Sequence, residues 1–464
     1  MSGSYDLMPP VAGPHNTPPP ASKIAVGAVL AGMMLVVMNT AMATVALPAM
    51  ALELRVSPAD ATWILTAYQA GLLIAMLPCA ALGEKFGYRG VFTWGLGLFA
   101  ASSLACALAP TLGWLVAARL LQGIGGAAIM ALGMALLRSI VSHQRLGAAI
   151  GWNASVVAFS SAAGPFIGTA IISVAQWSWL FSVTLPVVAV VLLATVCLPP
   201  STKKDDPLDL FSMLWSVGVF AALIAALGVL ASRPIAGALL LVFSVVQMWM
   251  LVKRERANAA PLVPIDLLKH YRLRVSVMSS IFCFSGQTVG MVALPFFLQK
   301  SLGLSNWVVS GLMAAWPLSV AVMAPFSGAL ADRVSTAKLC LFGGMGLAAG
   351  LFIMSLVDRG VTWLLIPCVV SCGFGFSVFN VANNRNMFLG APVQRSGAMG
   401  GLQGTARLVG QTSGAVIMGM LFNLESIEQA SRTGIAIGAI LVLMSALLSL
   451  RHLKVAPEIF DEVG

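Results

Sequence analysis

Apolar residues in this chain gather into fourteen runs of about 20, parted by short polar breaks. The runs lie at 24–49, 61–82, 91–110, 113–137, 146–172, 178–198, 210–231, 235–252, 275–298, 307–327, 338–356, 361–382, 398–422 and 433–451. Wound as α-helix, a run of that length crosses the hydrocarbon core of a bilayer. Lipid offers the backbone no partners, so helix is the form expected throughout. The pattern predicts an all-α polytopic membrane protein of fourteen transmembrane helices. The Pro-rich stretch before the first run lacks the basic start and small-residue cleavage site of a secretory signal, so the first run is expected to be retained as a helix.

The breaks group the runs. "LPPSTKKDDPLD" follows the sixth and "VKRERANAAPLVPIDLLKHYRLR" the eighth. The organisation expected is a disordered tail at 1–22, a six-helix bundle at 23–200, a linker and two-helix hairpin at 201–273, a second six-helix bundle at 274–453, and a tail at 454–464. The halves repeat weakly: "ALGEKFGYRG" after the second run matches "ALADRVSTAK" after the tenth. That alignment sets Glu84 against Asp332, Lys85 against Arg333, and the lone amide Asn39 against Gln287. Internal repeats of this kind are the plan of secondary transporters.

Composition agrees. The chain is 59% hydrophobic and 9% charged, where soluble proteins carry about 25% charged residues. Its net charge of +10 could suggest nucleic acid, but the distribution of the cations excludes that reading. With the amino terminus inside, nineteen of the 26 Lys and Arg fall on the inner side, five outside, and two, Arg119 and Arg407, within runs. This is the positive-inside bias, and it predicts both termini in the cytoplasm. The seven cysteines all fall in apolar runs without a ligand cluster, so no metal and no cofactor is expected. "GLGLF" and "GIGG" lack the flanking strand of a nucleotide loop, and no enzyme signature is present. The expected partners are a small-molecule substrate and the lipid bilayer.

Within the runs, polar residues mark candidate chemistry. Arg119, Gln122, Gly123 and Gly126 share one helix face. A guanidinium inside a span marks function by default, although Arg119 lies only about six residues, roughly 9 Å, from its helix end and could snorkel outward. Further cavity candidates are Trp63, Thr66, Tyr68 and Gln69 on the second helix, Gln287 on the ninth, Trp316 on the tenth, Asn380 and Asn383 on the twelfth, and Arg407 and Gln411 on the thirteenth. Each could instead make a helix–helix contact. No carboxylate and no histidine lies deep in a run.

Four motifs resemble the major facilitator superfamily. "ALGEKFGYRG" is similar to its loop between helices two and three, with Ala80 and Glu84 in place of Gly and Asp and with Gly87 and Arg89 matching; "GALADR" keeps Gly328, Asp332 and Arg333. "AARLLQGIGGAAIM" resembles its fourth-helix motif. "SSAAGPFIGTA" resembles the fifth-helix signature of exporting members, matching at Gly164, Pro165 and Gly168, with Thr169 replacing the last Gly. "MNTAMATVALP" resembles the first-helix motif of the fourteen-spanner branch, drug:proton antiporter family 2, whose opening Asp is here Asn39. The resemblance implies the major facilitator fold, two six-helix bundles plus an inserted hairpin, and multidrug-type efflux by proton antiport. It further implies a charge relay of Glu84, Lys85, Arg89, Asp332 and Arg333 that locks the halves, coupling through Arg119 and Gln122, and a hinge at Gly164, Pro165 and Gly168.

Asn39 is the departure. An amide does not titrate and arginine does not deprotonate, whereas proton antiport needs an acid whose pKa straddles the working pH. Three couplings stay open: an interfacial acid, Asp60 or Glu53, acting near the outer end of Arg119; a carried anion that itself neutralises Arg119 or Arg407; or facilitated passage without coupling. The missing carboxylate shifts the expected solutes from cationic towards neutral, zwitterionic or anionic ones, and makes a dedicated exporter of an endogenous organic anion or siderophore-like metabolite the second reading.

Overall fold

The computed structural model describes residues 23–140, 146–200, 209–229, 233–255, 268, 270–389 and 396–453. The expected tails at 1–22 and 454–464 and most of the linkers at 201–208 and 256–269 lie outside them, as does the side chain of Asp332. The described chain is helical: α1 (Lys23–Glu53), α2 (Pro58–Phe86), α3 (Tyr88–Ala107), α4 (Leu112–Ile140), α5 (Leu146–Val174), α6 (Trp179–Ser182), α7 (Thr184–Ala194), α8 (Leu210–Val229), α9 (Pro234–Glu255), α10 (Tyr271–Phe296), α11 (Asn306–Arg333), α12 (Thr336–Ser355), α13 (Leu365–Leu389), α14 (Ser396–Leu424) and α15 (Ile427–Ser449). Each apolar run holds one helix except the sixth, where α6 and α7 follow end to end. By length and composition, eleven of the described helices can cross a membrane, with shorter apolar stretches at Phe159–Val174 and Phe211–Ala226. α14 is long enough but not among them, because Gln403, Arg407 and Gln411 dilute its apolar character.

Local chemistry sets the helix ends. Ser57 caps α2 by accepting the Asp60 backbone N–H at 3.1 Å, and Pro58 opens the helix where its missing N–H costs nothing. Gly87, at φ 96°, makes the one-residue joint between α2 and α3, a conformation open to glycine and strained for other residues. The same joint brings Arg89 round to donate to the Leu198 carbonyl at 2.9 Å, tying α3 to the end of the first half.

The repeat is visible in the helix boundaries. Tyr271, Asn306 and Thr336 begin α10, α11 and α12, each 248 residues after Lys23, Pro58 and Tyr88 begin α1, α2 and α3. α10 continues as a π-helical turn to Ser301, the counterpart of Glu53. Packing repeats as well: α5 lies on α1 and α14 on α10. A Cβ on Gly164 would stand 2.4 Å from the Ala41 Cβ, and one on Gly414 would stand 2.4 Å from the Ser285 carbonyl oxygen. In lipid, where no hydrophobic drive pulls helices together, such small-residue contacts are what allow close packing. The second half achieves this without a proline at the place of Pro165, which sits buried within an unbroken α5.

The halves meet along α5 with α11 and α2 with α14, and the α8–α9 hairpin rests on α2 and α14. Trp63 of α2 packs on Gly228 of α8, where a Cβ would come within 2.3 Å of the ring. The two ends of the molecule differ. Away from the end that carries Lys85, Arg89, Arg333 and Lys338, a continuous apolar core runs from Met42, Leu47, Ile64 and Phe181 of the first half into Phe296, Leu312 and Trp316 of the second. Towards that basic end the core divides: Met33, Phe92 and Leu136 belong to one cluster, and Leu273, Met387 and Met399 to another. The halves thus share one apolar core at the end away from the bases, while nearer the basic end the first half's apolar residues form a cluster of their own, joined from the second half by Leu408 of α14.

Candidate functional site

α2 and α4 cross in backbone contact. A Cβ on Gly123 would lie 2.1 Å from the Tyr68 carbonyl oxygen, and one on Gly71 would lie 2.2 Å from that of Leu120. One turn before Gly123, the crossing delivers Arg119 into the middle of the first half, where it is fully buried. It does not snorkel. Its Nε donates to the Ile64 carbonyl at 3.1 Å and its Nη1 to Gln122 Oε1 at 2.6 Å. Nη1 also donates to the Oδ1 of Asn39. Gln122 passes the chain on, its amide donating to Ser103 Oγ at 2.7 Å, which donates to the Phe99 carbonyl at 2.7 Å. The Tyr68 ring lies 4.1 Å and the Phe181 ring 5.5 Å from the guanidinium carbon, close enough for cation–π attraction. Tyr68 is fixed in turn by donating its hydroxyl to the Val36 carbonyl at 3.1 Å.

The four sequence candidates Asn39, Tyr68, Arg119 and Gln122 therefore form one node, drawn from α1, α2 and α4, with Ser103 of α3 and Phe181 of α6 added by the fold. Asn39 occupies the place of the motif's acid and accepts a hydrogen bond as that acid would, but supplies no charge. Every acceptor found for Arg119 is neutral, and its Nη2 is buried with no hydrogen-bond partner among the described residues. A buried charge without a counter-charge is costly, by several kcal/mol or more.

The other candidates lie elsewhere. Thr66 and Gln69 are buried on α2, with the Gln69 Oε1 unpartnered. Trp316, 248 residues after Tyr68, is equally buried with its Nε1 unpartnered. Asn383 donates to the Ser276 carbonyl at 3.1 Å and to Ser280 Oγ at 2.7 Å, a link between α13 and α10, while Asn380 and Gln287 are half-buried. Gln403, Arg407 and Gln411 form a half-buried row along α14, and the Nε of Arg407 has no partner among the described residues. A small pocket at the end away from the bases lies among Thr62, Trp63, Thr66, Gly228, Gly419 and Asn423, so Trp63 serves the hairpin contact.

Neither interfacial acid is a hydrogen-bond partner of Arg119. Glu53 is exposed, and Asp60 is exposed with its carboxylate accepting from the Ser57 hydroxyl at 2.7 Å. Every acidic residue on the described helices lies within three residues of a helix end. At the basic end Glu84 and Arg333 are exposed and Lys85 and Arg89 half-buried. Gly328 is open, with nothing within 4 Å of a Cβ placed there, so the close approach is made at Gly83, where a Cβ would meet Leu132 at 2.3 Å. Of the hinge residues, Gly164 and Gly168 both press on α1, the latter with Met42 Cα 3.2 Å from an added Cβ. Thr169, one residue on, pairs its hydroxyl with that of Ser310 on α11 and so joins the two halves at the end away from the bases. Sequence reasoning saw in Thr169 only a departure from glycine.

The chain is 38% identical over 436 residues to the uncharacterized transporter YebQ of Escherichia coli strain K12, covering 92% of this chain and 94% of the relative. It is 28% identical to the tetracenomycin C resistance and export protein of Streptomyces glaucescens, covering 88% and 76%, and 28% identical to the multidrug efflux pump LfrA of Mycolicibacterium smegmatis, covering 88% and 82%. The fold is shared with a POT family transporter crystallised with a thioalcohol-conjugated peptide, at a TM-score of 0.72 and 15% identity over 92% of this chain and 96% of that one. These relatives are transporters, not enzymes. The family profile described as Major Facilitator Superfamily matches residues 29–415 and again 277–457, and this chain belongs to that superfamily as a multi-pass membrane transporter.

Proposed function

We propose that this protein exports small amphipathic compounds across the bacterial inner membrane by alternating access between its two halves. In this reading the chain crosses fourteen times, as two six-helix bundles at 23–200 and 274–453 and a hairpin within 201–273. Both termini face the cytoplasm and the chain acts as a monomer. The uneven joining of the halves supports the proposal: Thr169, Ser310 and the joint apolar cluster hold them together at the end away from the bases, and fewer apolar residues are shared between them nearer the basic end. In this reading the basic end is cytoplasmic and is the side that receives solute. The glycine contacts of α5 on α1 and α14 on α10 give the halves rigid surfaces on which to rock, and the two relatives named for export and efflux support the direction.

The Arg119 node supports a drive other than proton release from a membrane-buried acid. Asp60 caps α2, neither it nor Glu53 is a partner of Arg119, and the described spans carry no carboxylate away from their ends. Coupling through the solute's own charge is the reading these positions favour. The test loads cells expressing the protein with a panel of fluorescent amphipaths of negative, zero and positive charge and follows their loss. Faster loss of at least one compound than from cells carrying the empty vector is expected. Loss at the vector rate for every member, with the protein present in the membrane, would defeat the export reading.

A further inference from the structure

Two guanidiniums lie well inside described helices, Arg119 on α4 and Arg407 on α14, and each has a donor with no partner among the described residues. Arg119 is wholly buried, held by three neutral acceptors, with Nη2 free. Arg407 lies on the half-buried row of α14, with Nε free. Acids on the described helices are confined to their ends. The interior is therefore positive without internal compensation.

That charge sorts solutes. A cation about 8 Å from one such guanidinium is disfavoured roughly thirtyfold at an effective dielectric of about 20, and an anion is favoured by as much. Arginine's planar fork matches a carboxylate in shape as well as charge. An aspartate at position 39 would close the node, because its second oxygen could take Nη2 and its charge would cancel that of Arg119. Asparagine holds the guanidinium in place and leaves both its charge and its Nη2 to another ligand.

We infer that Arg119, kept charged and unpaired by Asn39, is the docking point for the carboxylate of an organic anion, which Arg407 attracts from the opposite half. The carried solute then supplies the negative charge that the helices lack. This deepens the export reading and relies on it only for the direction of movement. An anion leaving a cell whose interior is negative moves down the electrical gradient, and about 100 mV sustains roughly a fiftyfold concentration ratio without any proton exchanged by the protein.

The inference is tested on the purified full chain in detergent by thermal melting, using three probes on one scaffold: 2-naphthylacetate, 2-naphthylacetamide and 2-(2-naphthyl)ethylamine. The carboxylate is expected to raise the melting temperature of the wild type and the amine to leave it unchanged. Asn39→Asp is expected to melt no lower than wild type and to require about tenfold or more carboxylate for the same shift, consistent with loss of one charge-assisted hydrogen bond. Arg407→Gln, which alters no partnered group, is expected to weaken the shift in the same direction. Stabilisation by the amine, equal stabilisation by amide and carboxylate, no stabilisation by any probe, or an undiminished carboxylate response in Asn39→Asp would overturn the inference. Binding needs no vectorial transport, so failure here is separate from failure of the export test.

Discussion

Gly123→Ala tests how the helix crossing builds the node. The added Cβ would begin 2.1 Å from the Tyr68 carbonyl oxygen and 3.0 Å from the Gly71 Cα. Both are backbone atoms that no rotamer change can move aside. Ordinary contact is about 3.4–4 Å, so α2 and α4 must part by roughly 1.3 Å. Arg119 lies one turn from the crossing, and its 3.1 Å bond to the Ile64 carbonyl would lengthen past 4 Å and cease to be a hydrogen bond. Overpacking alone costs about 1–3 kcal/mol, and the lost charge-assisted bond about 1.5–3 kcal/mol more, giving roughly 2–5 kcal/mol after partial relaxation. The expected result is a clear drop in melting temperature in detergent together with loss of solute flux in reconstituted vesicles. Gly71→Ala should act alike, and the double variant should cost less than the sum, because the first substitution already opens the shared contact. A Gly123→Ala protein that melts with the wild type and keeps its flux would refute the argument.

Two further outcomes follow from particular contacts. Thr169→Val removes one hydroxyl of the pair with Ser310, at a cost to the joined state of about 1 kcal/mol; in a cysteine-free background, a cysteine at Ala41 should react several-fold faster with an impermeant maleimide added from outside, and an unchanged rate would deny that the pair holds the halves together there. Asp209 accepts from the Ser212 backbone N–H at 3.0 Å and the Ser212 hydroxyl at 2.7 Å, with Arg254 at 3.4 Å, and these bonds hold its carboxyl below the ordinary carboxylate range. A depressed value means that this stabilisation is present above the unfolded pKa and is lost as pH falls through the lower folded value. Hydrogen exchange in the first turn of α8 should therefore stay slow at mildly acidic pH and quicken only well below it, and Asp209→Asn should be fast throughout.

The helices were legible because lipid forces one solution on each apolar run, and their ends lie within about seven residues of those runs. The polar interior was less legible. Spacing put Arg119 and Gln122 on one face and singled out Asn39, but the distance of Arg119 from its helix end could not decide between burial and snorkelling. That choice was made by Gly71 and Gly123, which let α2 close over the guanidinium. Ser103, Phe181 and the Ile64 carbonyl come from other helices, and a serine, a phenylalanine and a peptide group in apolar runs carry no signal of their own. Tyr68 and Trp63 were grouped as cavity residues because neighbouring positions on one helix suggested it; tertiary packing sends Tyr68 to Arg119 and Trp63 to Gly228. Thr169 acquires its meaning from Ser310, 141 residues away.

The central claim is that Arg119 keeps its charge unpaired because Asn39 stands where the resembled first-helix motif has an acid, and that the solute answers it. The most direct measurement is 2-naphthylacetate flux in proteoliposomes under an imposed membrane potential, with the pH gradient collapsed by nigericin. Flux towards the positive side that persists without the pH gradient and falls about tenfold in Asn39→Asp is the predicted result. Flux that vanishes with the pH gradient and is unmoved by the potential would contradict the account.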